Sequence, residues 1–240
     1  MIDYHCHLLP GIDDGPKSLD ESIAMAEALY TAGFRTIYCT PHLMKGCYDT
    51  GNQEVLSAIS ALQTQLNNEK IHVEILPGRE YYLDEFLGQH LQTPLPLGNT
   101  KFIMIEIPSY APAQHVQETC FRIKCGGFIP MIAHPERCRL FAADSRQKTS
   151  FFSFKSKSKL SEASAKKNEL IRYLKNIGCA FQGNLGSFYS IYGPDVQKTA
   201  HDLKDRKIFT HYGTDAHSLK GIQLIAKRAR DEKRKLKIEA

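Results

Sequence analysis

The chain has 240 residues, of which 42% are hydrophobic and 24% charged, with a formal net charge of +5. That length can bury a sizeable core, and the composition is that of a globular protein, not a disordered or fibrous one. No run of about 18 apolar residues appears, so no membrane insertion is expected, and Asp3, His5 and His7 interrupt the N-terminus before a signal-peptide core can form, which makes the cytoplasm the expected location.

Met1–Tyr4 is the first of seven short apolar runs that predict strands, and it leads into His5-x-His7 and the glycine-flanked acidic loop Gly11–Gly15. A helix is expected over Leu19–Ala32. Ser18 caps it, Glu21 stands three residues later at the capping-box spacing, and Gly33 stops it. Thr36–Thr40 predicts the second strand and is followed by Pro41 and His42. A helix from about Glu54 to Asn68 precedes the strand His72–Leu76, after which come Gly78, Arg79 and Glu80. Phe102–Ile107 carries Glu106 near its end, and a helix over Gln114–Cys125 stops at Gly126-Gly127. Phe128–Ala133 runs into His134-Pro135-Glu136-Arg137. Ser145–Lys166 is Ser/Lys-biased and has no clean period, so it reads as a long surface insertion. Cys179–Gln182 and Ile208–Tyr212 are the last two strands, the latter leading to Asp215-Ala216-His217.

This alternation of strand and helix marks an α/β protein, and seven parallel units point to a barrel-like fold rather than an open sheet. No linker or repeat divides the chain, so one domain over residues 1–240 is expected. The seven cysteines are odd in number and never spaced C-x-x-C, which argues against a disulfide framework or a zinc ribbon. The positive charge is concentrated at residues 144–175 (+6) and from Lys227 onward (+4), leaving a body near −5. These two segments read as solvated faces or loops, and no nucleic acid partner is expected.

Nearly every expected strand delivers a His, Asp or Glu at its C-terminal end, the face on which β/α folds assemble active sites. The candidates are His5, His7, Asp14, His42, Glu80, Glu106, His134, Asp215 and His217. His5 and His7, two apart on a strand, face the same side and can chelate one ion. A lone His at a strand end is more often a satisfied polar residue than a ligand, and His72, His90, His115, His201 and His211 are left in that class. Asp13 reads as a turn former or as support for a ligand, Glu136 as an exposed loop charge, and Cys6 as pointing away from its histidine neighbours. Nine donors exceed the needs of one metal, and mixed imidazole and carboxylate ligands suit Mn, Fe or Zn. Two or three clustered ions form a clamp for phosphoryl transfer to water, and Arg137 could grip the phosphate from the same rim. No C-x5-R, G-x-G-x-x-G, G-x-x-x-x-G-K-[ST] or G-x-S-x-G occurs, so cysteine-phosphatase, dinucleotide, P-loop and serine-hydrolase schemes are excluded.

The segments MIDYHCHLLPGIDDGP, TPH, GREYY, IEIP, IAHPER and TDAH resemble the polymerase-and-histidinol-phosphatase (PHP) superfamily. Within it they are most similar to the manganese-dependent tyrosine-protein phosphatases of bacterial capsule and exopolysaccharide clusters. The resemblance implies a distorted (β/α)7 TIM-like barrel. It also implies hydrolysis of phosphotyrosine on a bacterial tyrosine kinase or its Tyr-rich tail, with Mn2+ as cofactor in two or three ions. His5, His7, Glu80 and Asp215 would hold the first ion. Glu80 would bridge to a second with Glu106 and His134, and Asp14, His42 and His217 would hold a third. Arg137 would orient the phosphate. Two departures stand out: Ile222 occupies the place of a family Arg in Asp-x-His-x-x-x-x-Arg, with Lys220 or Arg228 as candidate substitutes, and Lys/Arg-rich residues stand where a final helix is usual. Rival readings are a small-molecule phosphatase of the histidinol-phosphate type and a weakened phosphoprotein-binding module. Homo-oligomerisation is left open.

Overall fold

A computed structural model describes residues 1–142 and 168–238, with side chains as far as residue 231. The expected insertion at Ser145–Lys166 lies outside the described residues. Nine strands are present among those described: β1 (Ile2–Cys6), β2 (Thr36–Cys39), β3 (His42–Leu43), β4 (Glu74–Pro77), β5 (Glu80–Tyr82), β6 (Phe102–Glu106), β7 (Ile129–Ala133), β8 (Ala180–Asn184) and β9 (His211–Gly213). The helices are α1 (Leu19–Thr31), α2 (Asn52–Asn68), the single turn α3 (Leu87–His90), α4 (Ala113–Cys125), α5 (168–176), α6 (Pro194–Asp205) and α7 (Leu219–Ile238).

All ladders are parallel. One sheet has the order β1-β2-β4 and the other β3-β5-β6-β7-β8-β9. The second and third expected strands are each followed by a further short strand that was not expected, β3 after β2 and β5 after β4. Pro41 has no N–H to give the ladder. Past it, Glu80 N donates to Pro41 O (3.1 Å) and the pairing resumes between His42 and Glu80. β1 meets the last strand region through a Cys6–Ala216 bridge and through Asp215 N donating to His5 O (2.7 Å).

Strands buried on both faces explain the nearly continuous apolar runs. Ile103 and Ile105 of β6 join Ile132, Phe181, Val116, Ile123 and Leu174 in a core under α4 and α5, while Met104 turns the other way toward Met131 and Tyr38. A second core packs Met25, Leu29, Leu62 and Leu66 of α1 and α2 against Ile37 and Ile75. Cys6 is fully buried in that core, so it does point away from the ligand face. Ser18 caps α1, its Oγ accepting from Glu21 N (3.3 Å), but the Glu21 carboxylate accepts from Lys17 N (2.7 Å) instead of closing the box on Ser18. Gly33, at φ +100°, turns the chain out of α1.

The Lys/Arg-rich end is helical, as the second half of α7. Ile222 faces the core and not the donors. It is 4% exposed and packs in the second core, in a groove that α7 shares with Ala24, Ala28 and Ala32 of α1 and its cap. No helix among the described residues is long and apolar enough to cross a membrane.

Candidate metal centre

The nine candidate ligands come together where the strands end. His5 lies in β1 and His7 just past it, Asp14 sits in the loop before α1, His42 opens β3, Glu80 opens β5, and Glu106 closes β6; His134 follows β7, and Asp215 and His217 follow β9. Their atoms fall into three sets within 4.8 Å: His5, His7, Glu80 and Asp215; His7, Asp14, His42 and His217; and His42, Glu80 and Glu106. The four residues expected around a first ion are one of these sets. His134 is in none of these sets; its Nε2 lies 2.9 Å from Glu80 Oε1 and its ring stacks on His5, while His42 stands with Glu80 and Glu106.

Glu80 Oε2 is 3.1 Å from His5 Nε2, 3.3 Å from His7 Nε2 and 3.1 Å from His42 Nδ1. Asp215 Oδ1 is 3.3 Å from His5 Nε2 and 3.5 Å from His7 Nε2, and those two nitrogens are 3.1 Å apart. Ligands about 2.1 Å from one tetrahedral ion lie about 3.4 Å from each other, so these separations suit donors around a shared cation. His42 Nδ1 is buried and makes no hydrogen bond despite its nearness to Glu80, as suits a lone pair meant for a metal. The donor set therefore fits divalent transition metals.

Electrostatics agree. Burial pushes the His5 imidazole pKa down, but the charges of Glu80 and Asp215 outweigh it and raise it to about 9. His7, equally buried, is likewise raised by Asp13, Asp215 and Glu80. Glu80 and Asp215 go the opposite way: burial alone would raise them, yet the surrounding histidines hold both below the usual carboxylate range. Glu106 is raised, first by burial and then by the charge of Glu80. A cation bound here would displace the protons that the carboxylates hold on His5 and His7.

A supporting layer fixes the imidazoles. His5 Nδ1 sits 2.9 Å from Gln182 Oε1, which also accepts from His134 N (3.1 Å), leaving His5 Nε2 for a ligand role. Asp13 braces a candidate ligand: its Oδ2 lies 2.6 Å from His7 Nδ1 and accepts from His42 N (3.0 Å), and its Oδ1 accepts from Gly15 N (2.9 Å). His217 Nδ1 is 3.0 Å from Asp215 O. Arg79, fully buried, donates to His42 O, Thr50 O and Asn52 Oδ1, bracing the chain after β3. Asp3, also buried, accepts from Thr214 N, Thr214 Oγ1 and His5 N; desolvation outweighs these bonds and lifts its pKa to about 6. His134 and Asp215 have φ of +26° and +50°, a region L-residues seldom adopt, and the strain sits where the chain must turn donors inward.

Sequence reasoning missed Gln182, Asn184 and Arg79. The signal was present for the first two: polar residues two apart on an apolar strand share a face. Glu136 was misread. It is 2% exposed and its Oε1 accepts from Asn184 N (2.9 Å), because the short turn after His134 folds it back under β8. His72 meets Tyr30 edge-on, as His201 does Phe188 and His211 does Tyr4 and Phe102, and none of these is in the donor sets. Arg137 reaches the cluster through Nη1, 2.5 Å from Asp215 Oδ2. Lys220 and Arg228 are exposed on α7. A cavity of about 730 Å³ between α3 and α4, lined by Leu87, Leu91, Ile123 and Phe128, shares no residue with the cluster.

The family described as capsular polysaccharide synthesis, CpsB/CapC, matches residues 1–153. Tyrosine-protein phosphatase YwqE of Bacillus subtilis is 32% identical over 92% of this chain and 78% of its own length. The chain belongs to the CpsB/CapC family. Tyrosine-protein phosphatase CpsB of Streptococcus agalactiae serotype V is 33% identical over 57% of each chain, so the match spans little more than half of that relative. A crystal structure from work on YwqE of Bacillus subtilis and CpsB of Streptococcus pneumoniae, described there as metal-dependent tyrosine phosphatases, superposes with a TM-score of 0.75 at 32% identity. It covers 92% of this chain and 81% of that one. Histidinol phosphate phosphatase of Lactococcus lactis shares the fold, with a TM-score of 0.54 at 16% identity over 96% of this chain and 91% of that chain. A CpsB/CapC member is thus a mixed α/β protein with parallel sheets in which the metal-ligand types gather at strand ends.

Proposed function

We propose that this protein is a manganese-dependent protein-tyrosine phosphatase acting on a bacterial tyrosine kinase, or its Tyr-rich tail, in capsular polysaccharide synthesis. The observation that carries this reading is the nine-donor cluster with one open side. His5, His7 and Glu80 have fully buried side chains, whereas the side chains of Asp14, Arg137 and His217 are 45%, 33% and 30% exposed. Such an open rim admits a phosphorylated side chain on a protein surface. The named activity of the relatives, and the likeness to YwqE over most of both chains, support the same reading.

His5, His7, Asp14, His42, Glu80, Glu106, His134, Asp215 and His217 are the proposed ligands of two or three Mn2+ ions, with Fe or Zn as substitutes. When bound, such ions supply Lewis acidity toward phosphate oxygens and lower the pKa of water. The residues do the rest. Gln182 and Asp13 hold His5 and His7 in one tautomer. Arg137 presents a planar fork to the phosphate at the open rim. The bonds linking β1 to the β9 region, with β2/β3 and β4/β5 each continuing one run, support a distorted seven-stranded barrel formed by one domain. The seven free cysteines suit a reducing compartment, and the cytoplasm is the proposed location.

The test is a panel assay of manganese-loaded protein with phosphotyrosyl peptides, phosphoseryl peptides and histidinol phosphate. Turnover of phosphotyrosyl peptides above the others is expected. Activity confined to histidinol phosphate would overturn the tyrosine reading.

A further inference from the structure

Arg137 is held at two points. Its Nη1 donates to Asp215 Oδ2 at 2.5 Å, and its guanidinium carbon sits 4.6 Å above the ring centre of Tyr192. These anchors are not equivalent. Asp215 Oδ1 points into the donor cluster, 3.3 Å from His5 Nε2, so a cation there draws on the same carboxylate that Arg137 leans on. A cation there also repels the nearby guanidinium, which weakens the hold of Asp215 on Arg137. The Tyr192 ring makes no such demand. It takes the guanidinium by its face, which leaves the in-plane N–H groups free to form a bidentate grip.

Tyr192 is itself fixed. Its Oη accepts from Asn184 Nδ2 (3.2 Å), and the same amide donates to Asp215 Oδ2 (2.8 Å). Asn184 cannot swing away, since its Oδ1 accepts from Gly186 N (2.8 Å) and its backbone N–H donates to the buried Glu136. The residue is 37% exposed, so it stands at the open rim beside Arg137 rather than in the core. We infer that Tyr192 is a positioning residue: it holds the Arg137 guanidinium flat at the rim, aimed at phosphate, when Asp215 is committed to the metal centre. This rests on the reading of Arg137 as the phosphate clamp.

The test uses manganese-loaded full-length protein and inorganic phosphate as probe, with binding followed by calorimetry alongside KM for a phosphotyrosyl peptide. Tyr192→Leu removes the ring face, Tyr192→Phe keeps it, and each is also made with Arg137→Ala. Losing a partly desolvated cation–π contact should weaken phosphate binding and raise KM by about tenfold in Tyr192→Leu. Metal content and Tm should stay at wild-type values. Tyr192→Phe should bind phosphate within about twofold of wild type, and Tyr192→Leu should have no further effect when Arg137 is already Ala. Unchanged phosphate affinity in Tyr192→Leu overturns the inference. So does an equal loss in both Arg137 backgrounds, or a Tyr192→Phe variant as weak as Tyr192→Leu. If wild type binds phosphate with the expected pattern yet hydrolyses no phosphotyrosyl peptide, the substrate reading falls and the role of Tyr192 stands.

Discussion

Gly213 is where β9 comes against β1. A methyl group added there would lie 2.6 Å from both His5 N and His5 Cβ, and 3.0 Å from Asp3 Oδ1. Two of these three atoms are backbone or backbone-proximal, so no side-chain rotation relieves the clash. Ordinary contact would require the two strands to separate by about 1 Å, at the point where Asp215 N donates to His5 O (2.7 Å) and Thr214 N to Asp3 Oδ1 (2.8 Å). Overpacking of this kind costs about 1–3 kcal/mol, which for a chain of this size is a Tm lower by about 2–12 °C. The displacement moves His5 away from Asp215, so Gly213→Ala is expected to lose manganese affinity as well. Thermal unfolding with and without manganese, together with metal content after dialysis, measures both effects. Gly183→Ala is the control, because the three atoms nearest its added methyl belong to the Phe209 ring, at 2.9–3.1 Å, and a partly buried ring can yield. A Gly213→Ala protein with wild-type Tm and metal affinity would refute the claim that this close approach sets the geometry of the centre.

Asp13→Asn should lower metal affinity by about 10–100-fold, measured by competition with a chelating dye. Both Asp13 oxygens accept hydrogen bonds, and an amide must turn its NH2 toward one of those donors; an affinity equal to wild type would show that Asp13 merely shapes the turn. Stripping the metal with a chelator should lower Tm by about 5–11 °C relative to protein at a hundredfold excess over Kd, from about 2.7 kcal/mol of linkage. A Tm indifferent to chelation would remove the metal centre from the folded state's energetics. Ile222→Arg should destabilise the protein, since the side chain at 222 is buried against α1, and should leave phosphate affinity no tighter. Tighter phosphate binding in that variant would place residue 222 at the site after all.

The strand ends were legible because ligand chemistry and strand period coincide there. His5-x-His7 needs only alternation to place both rings on one face, and Asp215-x-His217 and His134 mark their positions without any knowledge of packing. The short strands β3 and β5 were not legible, because each depends on how the neighbouring strand resumes its pairing past Pro41 and Pro77. Glu136 was misread for a related reason. Its local sequence, a charge immediately after a His-Pro step, is that of an exposed turn, and it is the position of Asn184 on the next strand that buries it. Ile222 was readable as a departure from the family pattern. Its role as a core residue required knowing which face of α7 meets Ala24 and Ala28.

His5 and Asp215 supply donor atoms 3.3 Å apart from positions 210 residues apart in sequence. Contacts of such separation form late, after the intervening loops have closed. A chain still emerging from the ribosome would own His5, His7 and Glu80 long before it owned Asp215 and His217. The set of His5, His7, Glu80 and Asp215 is therefore assembled only once β1 has met the β9 region.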